Sequence, residues 1–292
     1  MSRAKIPVYN LRHLVKEDKK QEELQVERLE LYLEKHYQQL HTPHRHTFYH
    51  LVLFTSGRGS HTIDFAGFTV KPYQVYFMVP GQVHSWHFKG TPEGFVINFS
   101  EQLFRSFLLD QHYLERFSFF SGNSEDCVCQ LPASAQADAI RLMEAMLNRL
   151  PEGGDQLKLW LMEFLLLVDE SCNNRSSNHA AVSRQKELLF RGFRKLIDQH
   201  YKTIRLPKEY ADLLYITPNH LNALCQEMAG KTAGELIRDR VILESKRLLV
   251  NAELSIAEIA YELNFQDNSY FSRFFKKQVE MTPEEFRLKY SH

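Results

Sequence analysis

Cysteine is scarce, with four in 292 residues: Cys127, Cys129, Cys172 and Cys225. Their spacing is neither that of a dense disulfide scaffold nor the paired CxxC of a structural zinc site, so isolated intracellular thiols are the economical reading. Long apolar runs are missing as well. The longest, 157–168, is interrupted by Glu163 and falls short of the roughly 20 apolar residues that span a bilayer. In MSRAKIPVYNLRHLVKEDKK no apolar stretch follows the charges, so a secretory leader is not expected and the cytoplasm is the expected location, without a membrane partner. Net charge is also absent, 36 Lys and Arg facing 36 Asp and Glu. From Val182 onward there are 18 basic against 15 acidic residues. Any attraction for nucleic acid therefore has to come from where the charges sit, not from their sum.

The length suits about two domains, and 43% hydrophobic with 25% charged residues is the composition of a globular protein. Residues 21–39 read as a polar helix or charged lead-in. Between His46 and Ser100, HLVLFTSG, GSHTIDFAG, FTVKPYQVYFMVPG and FVINFS are short β-branched and aromatic runs divided by Gly and Pro. Closely spaced antiparallel strands of a small barrel or sandwich have this texture. From 101 to 170 the periodicity turns helical, in DAIRLMEAMLNRL and LKLWLMEFLLLV, with Pro151 and Gly153-Gly154 between them as a hairpin break. WLMEFLLLV is apolar nearly all round, so it is buried, either in a dimer contact or in its own domain. SCNNRSSNHAAVS lacks periodicity and reads as a linker.

Everything beyond that linker is helical, and its punctuation is informative. Ser255 and Glu258 fit a capping box that opens the helix IAEIAYEL. Asn264 ends that helix as a residue tolerant of the left-handed conformation. After a tight turn at Phe265, a second helix from about Asn268 to Gln278 puts Phe271, Phe274 and Phe275 inward and Ser269, Tyr270, Arg273, Lys276 and Lys277 outward or at the edges. Two short helices joined by a tight turn, the second basic, describe a helix-turn-helix. PKEYADLL, a turn at Tyr215-Ile216, the cap-plus-proline pair Thr217-Pro218 and NHLNALCQEM repeat the layout earlier. GELIRDRVILESKRLLVN joins the copies as one helix of roughly 27 Å, a rigid spacer suited to successive major grooves about 34–36 Å apart.

The stretch SIAEIAYELNFQDNSYFSRFFKKQVEMTPEEFR resembles the AraC/XylS family of transcription regulators. It carries nearly all of the family pattern I-x-E-I-A, G-F, S-Y-F-x-R-x-F-K and T-P-x-x-[FY]-R, and the resemblance extends over about residues 190–290. It implies two helix-turn-helix motifs on a long shared helix, double-stranded promoter DNA as partner, and RNA polymerase as a further partner if the protein activates. The residues expected at DNA are Asn219, His220, Asn222 and Gln226 in the first motif and Asn268, Ser269, Tyr270, Arg273, Lys276 and Lys277 in the second. Asn268 or Ser269 would otherwise be an N-cap. Departures are Asn264 and Glu280 where the family has glycine, and Ala223, Cys225 and Gln226 where it often has a basic residue and Phe-Lys. The first recognition helix is thus almost uncharged, able to read adenine through Asn and Gln but poor in attraction for phosphate.

In the N-terminal part, HTPHRHTFYH and PGQVHSW bring His44, His46, His50 and His84 into view. His44 and His46 point the same way in a strand, where side chains repeat every two residues. The spacing resembles the cupin barrel, with His50 in the place of the motif's glutamate and His84 matching its later histidine. That resemblance implies an effector domain over about 41–99, its site lined by His44, His46, His50, Tyr76, His84 and Trp86, with Tyr49, Phe54 and Phe77 in an apolar wall or in plain core. Four imidazoles could hold zinc, iron or nickel. Regulators of this kind have mostly lost the metal, however, and with the glutamate missing no metal, other cofactor or catalytic residue is expected.

The fold class expected is α+β. A cupin-like antiparallel barrel with its lead-in occupies 1–100, a helical dimerisation segment 101–170, a linker 171–185, and an all-α domain with two helix-turn-helix motifs 186–292. The function expected is a homodimeric, effector-controlled transcription regulator. A metal-dependent cupin enzyme with a DNA-binding tail and a ligand-free regulator are the rivals, the latter favoured if the barrel interior is filled by its own aromatics.

Overall fold

The computed structural model describes residues 6–14, 23–104, 108, 113–124, 126–150, 153–173, 182–250 and 254–290. The chain divides into two compact units, within residues 7–176 and 177–292. Most of the expected linker lies outside the described residues.

The N-terminal unit runs β1 (Val8–Tyr9), α1 (Leu11–Leu14), β2 (Leu24–Arg28), α2 (Leu29–Leu40), β3 (His44–His46), β4 (Tyr49–Ile63), β5 (Ala66–Thr69), β6 (Gln74–Met78), β7 (Val83–Phe99), β8 (Val128–Gln130), α3 (Ala133–Arg149) and α4 (Asp155–Asn173). Its sheet has the order β1-β3-β7-β4-β6-β8, with β2 also on β7 and β5 on β4. All pairs are antiparallel except β1 with β3. Two strands, β4 and β7, are long and bent together, with register shifts around Ser56. Glycine permits the bend: Gly94 has φ 150°, and a Cβ there would sit 1.9 Å from the Leu53 carbonyl oxygen. Alanine at 94 has to displace backbone, so Gly94→Ala should cost about 2–3 kcal/mol, read as a lower urea midpoint of this unit.

Alternation along the strands gives the sheet two unlike faces. Leu51, Leu53, Val75, Phe77, Phe95, Ile97 and Phe99 pack on α3 and α4, joined by Leu142, Met146, Leu161, Phe164 and Val168. The opposite face carries Val52, Phe54, Tyr76, Trp86 and Val96 beneath Leu29, Tyr32 and Leu33 of α2. Tyr49 and Phe77 therefore belong to the helix-covered face and cannot share a wall with Phe54, Tyr76 and Trp86. The apolar run of α4 is largely accounted for inside its own unit, leaving Leu159 and Leu166 exposed.

Other expectations need correction. The polar lead-in contributes a strand, β2, before its helix, and β8 lies in the stretch whose texture is helical. Cys129 and Cys172 are not isolated thiols. They are bonded across a Cα separation of 6.1 Å, tying β8 to the last turn of α4, and only Cys127 and Cys225 are free. Reduction should destabilise the unit by about 2–4 kcal/mol. Thermal unfolding with and without dithiothreitol reads this directly, and Cys172→Ser should abolish the difference.

The C-terminal unit is helical: α5 (Val182–His200), α6 (Pro207–Leu213), α7 (Pro218–Ala229), α8 (Ala233–Val250), α9 (Ile256–Glu262), α10 (Asn268–Val279) and α11 (Pro283–Tyr290). Three reciprocal boxes open helices: Thr232 with Glu235, Ser255 with Glu258, and Thr282 with Glu285. Each carboxylate is held below its ordinary range by the backbone N–H it accepts. Helix α8 packs against α5, α6 and α7 in the half of the first helix pair and against α9, α10 and α11 in that of the second. Buried Arg287 fixes that second end, donating to the carbonyls of Leu249 and Leu254 at 3.0 and 2.7 Å. Glu280 caps α10 in the left-handed conformation, φ 61°, a strained place for a side chain. Glu280→Gly should raise stability by about 0.5–1 kcal/mol, seen as a higher melting temperature.

Candidate nucleic-acid interface and histidine cluster

The two helix pairs of the C-terminal unit are built alike. In the turn of the first, Tyr215 is left-handed (φ 56°) and the Ile216 amide donates to the Ala211 carbonyl at 3.0 Å. In the second, Asn264 is left-handed (φ 58°) and the Phe265 amide donates to Ala260 at 2.9 Å. Thr217 caps α7 by accepting from the His220 amide. Asp267, not Asn268 or Ser269, caps α10, its carboxylate accepting from the Ser269 and Tyr270 amides at 3.0 and 3.1 Å. Both Asn268 and Ser269 are consequently free of capping duty, and both are exposed.

Helix α10 exposes Asn268, Ser269, Tyr270, Arg273, Lys276 and Lys277, while Phe271 and Phe275 are buried and Phe274 packs on Phe265. Several other cations of the unit are engaged. Lys186, Lys202, Lys231 and Arg240 pair with Glu227, Glu262, Asp239 and Asp198, and Arg205 donates to the Leu263 carbonyl. Among the described residues Arg273, Lys276 and Lys277 have no such acidic partner. Helix α7 presents Asn219, His220 and Gln226 in the open and has no Lys or Arg. Asn222 is different. It is half-buried and its Oδ1 accepts the Ala233 amide at 3.0 Å, joining α7 to the start of α8. Its Oδ1 thus serves the fold.

The N-terminal unit gathers more histidines than the motif spacing foretells. His44, His46, His50, His61 and His84 are all buried on the α2 side of the sheet. Register explains the meeting: His44 on β3 stands opposite His84 on β7, and His61 on β4 opposite Trp86. Nitrogen atoms of His44, His46 and His84 lie within 4.8 Å of one another. The His46 and His50 ring centroids are 5.0 Å apart. His61 was not foreseen, although its alternation with Ile63 in SHTIDF marks it as inward-facing. Tyr76 and Trp86 flank the cluster as expected, and Tyr32 of α2 closes it, with ring centroids 6.0 Å from His50 and 6.2 Å from Trp86.

Hydrogen bonds fix the tautomers. His44 Nδ1–H donates to the Thr42 carbonyl at 2.8 Å, and His50 Nδ1–H donates to Asn98 Oδ1. Asn98 in turn donates to Gln25 Oε1 at 2.9 Å. Trp86 Nε1–H donates to His61 Nε2 at 2.7 Å, which places the His61 proton on Nδ1. His84 Nδ1 also lies 3.0 Å from that same His61 nitrogen, whose single lone pair the indole N–H already takes. The result is a bare, buried Nε2 lone pair on His44 and His50, while Nε2 of His84 and both nitrogens of His46 are likewise buried without a partner. Burial keeps these rings neutral. It lowers His44 from 6.5 to about 4 and His50 to about 3, and it takes His46, His61 and His84 well below 6.5 with help from neighbouring imidazoles. Each orphaned nitrogen costs about 1–3 kcal/mol.

A paired helix-turn-helix unit and a sheet unit with a histidine-lined interior define a two-part DNA-binding protein. Residues 29–160 match the family model of the AraC-like ligand binding domain and residues 210–289 that of the helix-turn-helix domain. The chain thus combines an AraC-type helix-turn-helix domain with an AraC-like ligand binding domain. It is 29% identical over 119 residues to the uncharacterized HTH-type transcriptional regulator YijO of Escherichia coli (strain K12), covering 41% of this chain and 42% of that one. It is 22% identical over 259 residues to the HTH-type transcriptional activator RhaS of Escherichia coli O81 (strain ED1a), covering 84% and 86%. The match to YijO thus spans less than half of that relative's length. The crystal structure of ToxT from Vibrio cholerae O395 aligns with 92% of this chain and 97% of its own at 16% identity and a TM-score of 0.43. No described helix is long and apolar enough to cross a membrane.

Proposed function

We propose that the protein is an effector-controlled regulator that binds promoter DNA sequence-specifically in the cytoplasm and catalyses no reaction. The observation that carries this is the outer face of α10, where Arg273, Lys276 and Lys277 are exposed and form no ion pair within salt-bridge distance among the described residues, whereas Lys186, Lys202, Lys231 and Arg240 do. Phosphate attraction supplies affinity and base edges supply sequence. Helix α10 is equipped for both, with Asn268, Ser269, Tyr270 and Arg273 as base or backbone contacts and Lys276 and Lys277 on phosphate. Helix α7 adds Asn219, His220 and Gln226, a neutral set suited to adenine. Leu159 and Leu166 form the exposed apolar seam of α4 through which two copies would pair, and RNA polymerase is the further partner if the protein activates.

For the effector site, His44, His46, His50, Tyr76, His84 and Trp86 remain the assigned lining. The interior aromatics Tyr32, Phe54, Tyr76 and Trp86 have no exposed surface, which favours a very small ligand at the histidines over a bulky one. Selection from a randomised duplex library by the full chain tests the DNA reading. Two conserved blocks about one helical turn apart are expected; a pool without any enriched sequence would contradict it.

A further inference from the structure

The imidazole cluster is more than a polar patch in a core. We propose that His44, His46 and His84 form a buried binding site for one divalent transition ion of the zinc type, with His50 within reach as fourth ligand and His61 holding His84 in place. It is a site for the N-terminal half of the regulator proposed above, and it rests on that reading only in treating the ion as an effector.

Three observations point the same way. First, the candidate donors come from adjoining strands whose register sets His44 against His84, and their nitrogens already lie within 4.8 Å of each other. Nitrogen atoms around a tetrahedral ion with metal–nitrogen bonds of about 2.0–2.1 Å stand roughly 3.3 Å apart, so the rings close in by side-chain rotation. Second, the tautomers are those of metal ligands. A ligating histidine donates its other N–H to a carbonyl, carboxylate or similar acceptor, which aims its lone pair at the ion. His44 does this to Thr42 and His50 to Asn98, and His84 Nδ1 lies 3.0 Å from His61 Nε2, which Trp86 anchors. Third, the lone pairs so exposed have nothing to accept. His44 Nε2, His50 Nε2, His84 Nε2 and both His46 nitrogens are buried and unpartnered. A core needing only bulk there would be filled by leucine or phenylalanine, as the rest of this face is.

Ligand chemistry selects the ion. Neutral imidazoles suit zinc, copper, iron(II) and nickel, whereas magnesium and calcium require oxygen donors. No carboxylate belongs to the three-residue cluster, so calcium and magnesium are excluded as occupants.

The test uses the full chain without a histidine tag, stripped with chelator and then dialysed against zinc chloride, cobalt(II) chloride or magnesium chloride. Expected are about one zinc or cobalt per chain, none of magnesium, visible d–d bands in the cobalt form, and a higher melting temperature with zinc. His46→Gln and His84→Gln should abolish the stoichiometric ion while circular dichroism shows the fold intact. His61→Leu, which removes only the outer partner of His84, should weaken zinc binding about 10–100-fold. Absence of zinc and cobalt from the folded wild-type chain, with an unshifted melting temperature, would overturn the site. Equal retention in His46→Gln, His84→Gln and wild type would overturn it too. Library selection on the same preparations separates the readings: enriched sequence without metal leaves the regulator standing, and metal without enriched sequence leaves the ion site standing.

Discussion

Acidifying the chelator-treated protein from neutral to about pH 5 should unfold the N-terminal unit, by a loss on the order of 5 kcal/mol or more. The sign follows from the five buried histidines. In the unfolded chain each takes up a proton near 6.5, whereas the folded rings stay neutral, His44 to about 4 and His50 to about 3. The unfolded state therefore binds more protons in this window, so stability is fully present above 6.5 and falls as pH drops below it. One pH unit below 6.5 each such histidine costs about 1.4 kcal/mol. Five together approach the roughly 5–15 kcal/mol that hold a domain folded. The measurement is simple because both tryptophans, Trp86 and Trp160, lie in this unit. Their emission should shift to the red between about pH 6 and 5, while the helical signal of the C-terminal unit persists. Emission unchanged down to pH 4 would mean that the rings are already charged in the fold, and the tautomer assignments would be wrong.

The second large effect concerns DNA. Arg273→Ala should weaken operator binding by about 1–3 kcal/mol, or roughly fivefold to more than a hundredfold, and relax the preference at the positions it contacts. Lys276→Ala and Lys277→Ala should weaken binding to all sequences alike and each reduce the salt slope by about one. Helix α7 should behave otherwise. Asn219→Ala and Gln226→Ala remove no charge, so they change which bases are preferred and leave the salt slope intact. A flattened slope in the α7 variants, or none in the lysine variants, would show that the division of labour between the motifs is drawn wrongly.

The DNA-binding unit was largely legible because its signals are local. Ser255 with Glu258, Thr217 before Pro218, and Asn264 at a helix end each act over three or four residues. Asn222 has a structural partner that local spacing does not show, the Ala233 amide 11 residues away in another helix. The sheet unit shows the same limit more strongly. LQVER gives little sign of a strand until it finds its partner in β7, some 70 residues on. Cys129 and Cys172 are 43 residues apart, a separation no spacing rule reads. Three of the five histidines stood out in HTPHRHTFYH and a fourth in PGQVHSW, but His61 joins them only through cross-strand register with Trp86. Motif spacing located part of the cluster. Pairing of distant strands completed it, and hydrogen bonds to Thr42 and Asn98 set the direction of the His44 and His50 lone pairs.

Sequence reading by this chain shows in the ratio of two affinities. Fluorescence anisotropy would compare a duplex carrying the selected motif with a scrambled duplex of equal length and composition, at about physiological salt. A preference of roughly a thousandfold or more for the motif is expected, largely retained as salt rises. Equal affinities for the two duplexes, both vanishing with added salt, would leave only the nonspecific attraction of Lys and Arg for phosphate and would contradict it.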